Sequence, residues 1–186
     1  MEADHFFTER YGLKIQKEML RLRHATPKDA SILCKWWNDG KVMEHAGFPN
    51  GLSIEEEKVS KQIAQDDNRN RRLIVEFDDV PIGEMNYRET ETHTAEIGIK
   101  ICEENWQNKG LGTCYLRMLI DYLFTKMGYK KLVLDTNLKN KRAQHVYEKL
   151  GFQKKGIRAD SWKDQLGNLQ SSVDYELRAD TYCQDC

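Results

Sequence analysis

The chain has 186 residues, which is enough for one domain with its own core and too few for two of ordinary size. Lysine and arginine together number 29 and aspartate and glutamate 30, so the formal net charge of −1 gives no reason to expect a nucleic-acid or membrane partner. No apolar run approaches the roughly 20 residues that cross a bilayer. Charged residues interrupt the N-terminal segment, and we therefore expect no signal peptide and a cytoplasmic location.

The cysteines do not suggest a disulfide framework, because their number is odd and their spacing irregular. They are Cys34, Cys102, Cys114, Cys183 and Cys186. The last two could form a redox pair or half a zinc site, but no second ligand pair accompanies them, which favours a reduced tail. The five histidines show no metal-ligand spacing, so we expect no metal.

The first third of the chain contains two predicted helices. Residues 1–18 follow no clean hydrophobic period, and we interpret them as an N-terminal extension that packs on the domain or as a partly disordered arm. Residues 20–23 alternate as in a strand. Thr26 and Pro27 then favour the start of a helix, and a capping box at Ser53 favours the start of a second helix with a thin apolar face. The first helix carries one apolar face formed by Ala30, Leu33, Cys34 and Trp37.

Strand patterns dominate the middle of the chain. Residues 73–75 and 82–87 flank a turn at residues 78–81 and therefore predict a hairpin. Residues 95–101 alternate strictly, with alanine and isoleucine on one face and with glutamate, glycine and lysine on the other. We expect these segments to be neighbours in one sheet.

Helix and strand patterns alternate in the last third. A long amphipathic helix is predicted from residue 111 to Gly128, and a short apolar strand at residues 132–134 is typical of a buried central position. A further helix is predicted over residues 140–150, a strand is predicted to start at Phe152, and a last strand is predicted over residues 172–177.

The element order is β-α-α-β-β-β-α-β-α-β-β, which predicts a single α/β domain. We expect a central mixed twisted sheet with helices on both faces. The predicted domain covers residues 19–180, and residues 181–186 form a short tail.

The most informative stretch is Gln107-Asn108-Lys109-Gly110-Leu111-Gly112, at the junction of a strand and a helix. Unpaired backbone N–H groups at such a turn point to one spot at the positive end of the helix dipole. Glycine removes side chains where a phosphate must touch backbone. The stretch therefore predicts a phosphate pocket and a nucleotide-like cofactor. The sequence has neither a Walker-type Gly-Lys-Ser/Thr motif nor a G-x-G-x-x-G motif, which argues against an unrelated phosphate-binding module.

Two motifs resemble those of the GNAT superfamily of N-acetyltransferases. The first, Gln107-x-x-Gly110-x-Gly112, matches the Q/R-x-x-G-x-G/A cofactor signature of the family. The second is Asn140-x-x-Ala143-x-x-x-Tyr147-x-x-x-Gly151-Phe152. Both stand in the family's order, and the elements of residues 20–178 are similar to its GNAT-like fold. Glu96-Ile97-Gly98-Ile99 and Trp106 resemble the ribosomal-protein and spermidine-type acetyltransferase branch.

The resemblance implies acetyl-CoA as the cofactor, CoA as the product and acetyl transfer to a primary amine. In the family, the strand that corresponds to residues 95–101 splays from its neighbour, so that its backbone pairs with pantetheine while the glycine loop wraps the pyrophosphate. Lys109 is either a phosphate ligand or a surface lysine, and its position beside the loop favours the phosphate. The implied cofactor-binding residues are Ile99, Ile101, Gln107, Asn108, Lys109, Gly110, Leu111, Gly112, Thr113, Asn137 and Asn140.

Amine acetylation needs a base for the amine, stabilisation of a tetrahedral intermediate and an acid for the leaving thiolate. Glu96 is the candidate base, directly or through water, because Ala95-Glu96-Ile97 resembles the strand that carries the glutamate of histone acetyltransferases. The alternative is a solvent-facing glutamate or one that only binds a cationic substrate. Tyr147 is the candidate acid, and the alternative is an aromatic core residue. The oxyanion is expected to be bound by a backbone N–H of strand 95–101.

The acceptor is less well specified. Trp36, Glu44 and Glu84 are the candidate acceptor contacts, and Glu84 is placed to hold a cationic amine. A polyamine, an aminoglycoside, another small amine or a protein N-terminus all remain open. The alternative class is a non-catalytic acyl-CoA-binding or regulatory domain, which the presence of both Glu96 and Tyr147 disfavours. Residues 1–18 and the tail are compatible with a homodimer.

Overall fold

The computed structural model describes residues 7–9, 12–17 and 19–182, and in these residues nine strands form one mixed sheet. The strands are β1 Phe7–Glu9, β2 Gly12–Lys17, β3 Leu20–His24, β4 Asn70–Phe77, β5 Val80–Glu91, β6 Thr94–Ile101, β7 Lys131–Asn137, β8 Gln153–Lys163 and β9 Leu169–Arg178. Their order is β1-β2-β3-β4-β5-β6-β7-β9-β8. All neighbours are antiparallel except β6 and β7. The helices are α1 Ala30–Asn38, α2 Gly40–Met43, α3 Glu56–Ala64, α4 Leu111–Thr125 and α5 Lys141–Lys149.

Two hydrophobic clusters lie on opposite faces of the sheet. Alternation along β4 separates them, because Leu73 and Val75 belong to one cluster and Ile74 to the other. The larger cluster packs α4 and α5 on the sheet, and the smaller one packs α1 and α3. We call these the α4 face and the α1 face. The predicted fold class, an α/β sheet with helices on both faces, is confirmed. In the described part of the chain no helix is long and apolar enough to cross a membrane.

The N-terminal segment adds two strands that its sequence pattern does not predict. β1 and β2 form an antiparallel ribbon, and β2 pairs with β3 through residues 14–17 and 20–23. A ribbon at the edge of a sheet is joined through backbone hydrogen bonds, which do not require a hydrophobic period. Cys183 and Cys186 lie outside the described residues.

Both predicted N-terminal helices begin later than their sequence signals indicate. A 3₁₀ turn at Pro27–Asp29 precedes α1, and the Asp29 carboxylate accepts a hydrogen bond from the Thr26 N–H at 2.7 Å. Ser53 has a φ of +50° and does not cap α3, which starts at Glu56. The segment between α1 and α3 is therefore longer than predicted.

The strands β6 and β7 separate along their length. They pair only through residues 94–96 and 131–133, although β6 continues to Ile101 and β7 to Asn137. Beyond these pairs β7 remains bonded to β9, and β6 remains bonded to β5. The sheet therefore opens between its two parallel neighbouring strands, as expected from the resemblance.

Candidate active site

A cavity of about 900 Å³ lies at the opening between β6 and β7. Residues 97–101 of β6 and 135–137 of β7 form its sides. It is also lined from the α4 face by the 107–113 loop and α5, and from the α1 face by residues of the α2 region. The cavity therefore connects the two faces of the sheet.

Alternate peptide groups of β6 face this opening. The N–H of Cys102 donates to the Ile82 carbonyl on the β5 side at 2.8 Å, so the even-numbered peptide groups face β5. The Ile101 carbonyl faces the other way and accepts a hydrogen bond of 3.0 Å from Gln107 Nε2. By this alternation the peptide groups of Ile97 and Ile99 face the cavity, where a ligand can pair with them.

The glycine loop has the geometry of an anion site. Gly110 adopts the left-handed conformation at φ +77° and is the N-cap residue of α4, with no side chain capping the helix. A Cβ at Gly110 would meet nothing within 4 Å, and one at Gly112 would meet only Ile99 Cδ1 at 4.0 Å. The space that side chains would occupy is therefore open, and it lies beside the N-terminus of this 15-residue helix, where backbone N–H groups lack intrahelical partners.

Neighbouring side chains hold the loop in place. Asn108 has a φ of +59°, and its Oδ1 accepts a hydrogen bond of 2.9 Å from Arg142 Nη1 on α5. Arg142 also lines the cavity and is a cation that the sequence analysis did not select. Lys109 does not line the cavity and instead lies over the Trp106 ring, with Nζ 5.1 Å from the ring centroid. The other loop residues from Gln107 to Thr113 line the cavity as predicted.

The two predicted asparagines line the cavity and are oriented by local bonds. Asn140 caps α5, with its Oδ1 accepting from the Ala143 N–H at 3.1 Å. Asn137 donates through Nδ2 to Gln170 Oε1 at 3.2 Å and accepts from the Lys139 N–H at 2.9 Å. Their contacts with a cofactor stay predictions.

Tyr147 projects from α5 to the cavity and is 8% exposed. Its ring packs against Phe152 and Tyr175, with centroid distances of 6.0 and 5.8 Å. Its hydroxyl has no hydrogen-bond partner among the described residues. Burial, assisted by the charge of Asp135, raises the pKa of Tyr147 to about 12. The hydroxyl is therefore protonated at neutral pH and free to donate.

Glu84 lies in the wall of the cavity and is 3% exposed. Its Oε1 accepts from Trp37 Nε1 at 2.8 Å and from Lys100 Nζ at 3.1 Å, and its Oε2 accepts from Arg72 at 2.6 Å. Burial opposes ionisation, but Lys100 and Arg72 outweigh it and place the pKa of Glu84 below its usual range. Glu84 is therefore a carboxylate whose two oxygens already have cationic partners.

Glu96 belongs to the last residue pair before the strands separate, opposite Val133. Its side chain points to the α1 face, the same side as Lys100, and forms an ion pair of 3.0 Å with Arg88. It is half-exposed and does not line the cavity. The structure therefore places the candidate base beside the apex of the opening rather than within it.

Trp36 and Glu44 do not reach the cavity. Trp36 is only 1% exposed, and its Nε1 donates to Glu103 Oε1 at 2.8 Å, so it is a core residue rather than a surface for an acceptor. Trp36 lies outside the apolar face that contains Trp37, so the sequence pattern did not predict its burial. In the structure α1 buries both tryptophans. Glu44 is exposed and does not line the cavity.

Residues 40–51, which we call the strap, cross the opening on the α1 face. Within the strap, Lys41, Val42, His45 and Ala46 line the cavity, and the turn Glu44–Ala46 packs against β7. Gln165 in the β8–β9 turn holds the strap through three hydrogen bonds. Its backbone N–H donates to the Gly47 carbonyl at 2.8 Å, and its side-chain Nε2 donates to the Gly51 carbonyl at 3.0 Å. Its Oε1 accepts a hydrogen bond from the Asn50 N–H at 2.9 Å.

Trp162 on β8 closes the same side. Its Nε1 donates to Ser172 Oγ at 3.0 Å, and a Cβ at Gly47 would lie 2.3 Å from its ring. Arg158 on β8 lines the cavity as well. Sequence analysis selected neither Trp162 nor Arg158, because their partners lie on other strands or in the strap.

The comparisons identify the family. The model of the Acetyltransferase (GNAT) domain matches residues 19–153. Spermidine N(1)-acetyltransferase of Escherichia coli is 30% identical over 144 residues, which cover 76% of this chain and 72% of the relative. A spermidine N-acetyltransferase from Vibrio cholerae in complex with CoA and spermine has a similar structure, with a TM-score of 0.78, 24% identity and coverage of 89% of this chain and 99% of that chain. RimL, a ribosomal-protein acetyltransferase solved with coenzyme A, gives a TM-score of 0.79 at 16% identity over 89% of this chain and 97% of that chain.

The geometry fits the cofactor of that family. An extended strand with free peptide groups and a helix N-terminus without a side-chain cap are walls of one cavity, so residues 97–101 can hold a pantetheine arm and the 107–113 loop its phosphates. The match to the family model covers well over half of the sequence. The chain belongs to the GNAT acetyltransferase family and is an N-acetyltransferase that uses acetyl-CoA.

Proposed function

We propose that the protein acetylates a primary amine by direct attack of the amine on the acetyl carbonyl, with Tyr147 as the general acid. The observation that carries this proposal is the Tyr147 hydroxyl, which belongs to a residue that lines the cavity and lacks a hydrogen-bond partner among the described residues. The alternative function, a non-catalytic acyl-CoA-binding or regulatory domain, has no comparable support.

The residues divide the chemistry between the two faces of the sheet. Acetyl-CoA supplies the acyl group as a thioester. In this proposal the 107–113 loop and the peptide groups of Ile97 and Ile99 bind the cofactor, and a backbone N–H of β6 stabilises the oxyanion, which the position of these segments in the cavity wall supports. A free thiol has a pKa of about 8.5, so a proton from Tyr147 Oη helps the sulfur to leave.

We assign Glu96 a water-mediated role in removing the proton from the amine. Its position at the apex of the opening, on the α1 face, supports this role, and its ion pair with Arg88 keeps it from direct contact with the cavity. Glu84 is less suited, because both of its oxygens already bind cations. The amine belongs to a small molecule or a protein N-terminus. Cytoplasmic location and a homodimer stay predictions from the sequence.

Tyr147→Phe tests the acid role, since it keeps the ring and removes only the hydroxyl. We expect kcat to fall about 100-fold or more, within the range for loss of a general acid, while the affinity for CoA is kept. Tyr175→Phe is the matched control, because Tyr175 packs on Tyr147 and its hydroxyl bonds Glu148 instead of facing the cavity.

The measurements are kcat from thiol release and CoA affinity from thermal shift. Wild-type kcat in Tyr147→Phe would reject the acid role. Parallel initial-velocity patterns together with an acetylated enzyme in the mass spectrum would reject direct attack.

A further inference from the structure

The cavity holds no uncommitted carboxylate among the described residues. Its charged lining consists of four cations, Lys41, Lys100, Arg142 and Arg158, and two acids, Glu84 and Asp135. Glu84 is paired with Arg72 and Lys100, and Asp135 is paired with Arg158. An acceptor that brings a second positive charge therefore finds no free counter-charge in the wall.

Arg158 is the residue that neutralises the wall formed by β7 and β9. Asp135 and Asp174 are direct partners in the register of these strands and lie on the same face. The Arg158 guanidinium binds Asp174 through Nε at 2.9 Å and Nη2 at 2.8 Å, and it binds Asp135 through Nη2 at 2.7 Å. Without Arg158, two adjacent carboxylates would stand unpaired at the edge of the cavity.

The strap limits how far an acceptor can extend into solvent on this side. It reaches β7 through the turn Glu44–Ala46, and Gln165 ties it to the β8–β9 turn by three hydrogen bonds. Val42, Ala46 and Trp162 give this part of the cavity an apolar and aromatic lining. A second ammonium group placed there would lie beside these side chains and near the cations Lys41 and Arg158, with no free carboxylate to pair with it.

We infer that the acceptor is a primary monoamine with an apolar body, and that Arg158 is a specificity-determining residue that selects against polycationic amines. The inference rests on the proposed amine acetylation. It separates this chain from the relatives named for spermidine, although the fold and the cofactor are shared.

The first test is a competition between hexylamine and hexamethylenediamine, which differ only by a second terminal amine. Both are present at equal concentration with acetyl-CoA, and the ratio of the acetylated products measured by mass spectrometry gives the ratio of kcat/KM. We expect hexylamine to be favoured by about tenfold or more, which corresponds to about 1.4 kcal/mol. Equal use of the two amines, or preference for the diamine, overturns the inference.

The second test is Arg158→Gln in the same competition. Release of Asp135 and Asp174 is expected to shift the product ratio toward the diamine by about tenfold. The matched control is Arg178→Gln, because Arg178 also pairs with an aspartate, Asp180 at 3.4 Å, at similar exposure (56% against 52%), and does not line the cavity. Thermal shift with CoA establishes that each variant is folded. An unchanged ratio in folded Arg158→Gln overturns the role of Arg158.

The outcomes also separate this inference from the proposed function. Acetylation of the diamine in preference to hexylamine overturns the inference and leaves amine acetylation intact. Acetylation of neither amine overturns the inference, and turnover of a peptide with a free N-terminus then decides whether the proposed function survives.

Discussion

The two walls of the cavity are built in different ways. On the α4 face the site consists of residues 107–113, which include the start of α4, and of α5, and each of these two segments is contiguous in the chain. On the α1 face it consists of side chains from distant segments, the strap and β8, and Gln165 holds the strap by accepting a hydrogen bond from the Asn50 N–H, 115 positions away in the chain. The first wall can therefore be recognised in the sequence as a motif, whereas the second exists only after the chain has folded. This difference between the two walls favours a cofactor that is shared across the family and an acceptor that varies from one member to another.

The largest expected effect tests whether the α1 face depends on its buried charges. In Glu84→Gln, Arg72 and Lys100 lose their shared carboxylate, and we expect the free energy of unfolding to fall by about 3 kcal/mol. CoA affinity should stay within about twofold, because the loop that we propose to bind it is a separate region. Urea unfolding and thermal shift with CoA measure the two quantities, and the exposed Glu57→Gln is the control.

The same residue gives a pH dependence with a defined sign. Burial raises the pKa of Glu84, but Lys100 and Arg72 outweigh it and the net shift is downward. A glutamate in the unfolded chain titrates near about 4.3. The stabilisation is therefore complete above that value and is lost as pH falls through the lower folded pKa. We expect acidification below about pH 4.3 to lower the Tm of the wild type more steeply than that of Glu84→Gln, and equal slopes would contradict this.

The next effect concerns the contact between the strap and β8. Gly47 has a φ of +91°, and a Cβ there would lie 2.3 Å from Trp162, so Gly47→Ala must displace the indole. We expect the KM for hexylamine to rise about tenfold while the KM for acetyl-CoA is kept, since misplacement of a binding surface is costly. Gly156→Ala on β8 is the control, because its Cβ meets nothing within 4 Å. Equal effects of the two variants would show that the strap does not position the acceptor.

A smaller effect is expected at two glycines beside α4, where backbone strain and loss of ligand contact can be distinguished. Gly110 and Gly128 lie just before and after α4, have φ of +77° and +75°, and have no atom within 4 Å of a built Cβ. Alanine at either position should cost about 1 kcal/mol of stability. Only Gly110→Ala should weaken CoA binding, by about fivefold or more. Loss of affinity in both variants would mean that α4 as a whole, rather than the loop, governs binding; calorimetric titration with CoA decides.

The smallest expected effect is on Glu96. Because it acts through water in our proposal, Glu96→Gln should lower kcat by about tenfold at most and flatten the acidic limb of the pH–rate profile. Glu176→Gln is the control, since Glu176 is paired in register with the same Val133 but lies one strand farther from β6. A wild-type rate and profile in Glu96→Gln would remove this residue from the mechanism.

The sequence predicted the sheet from β3 onward, the helices on both faces and the family, because alternation and glycine signals are local. It did not predict that α3 would start at Glu56, since a φ of +50° at Ser53 reflects the packing of the loop and not the capping pattern. Nor did it predict the burial of Trp36, because the contact with Glu103 joins residues 67 positions apart.

The candidate site divides along the same line. Gly110, Gly112 and Tyr147 were selected by motif and do line the cavity. Trp36 and Glu44 were selected by position alone and do not. Trp162 and Arg158 carry no local signal, since their importance comes from partners on other strands. An acceptor site can therefore be predicted only when the pairing of the strands is known.

The brief pairing of β6 with β7 also provides a spectroscopic reporter. Ile97 and Ile99 lie just beyond the last bonded pair, and their peptide groups face the cavity rather than a neighbouring strand. Their amide protons should exchange with solvent deuterium faster than those of Ala95, which lies within the paired region. Slower exchange at these two amides on addition of CoA would record occupancy of the opening residue by residue, without an acceptor and without turnover.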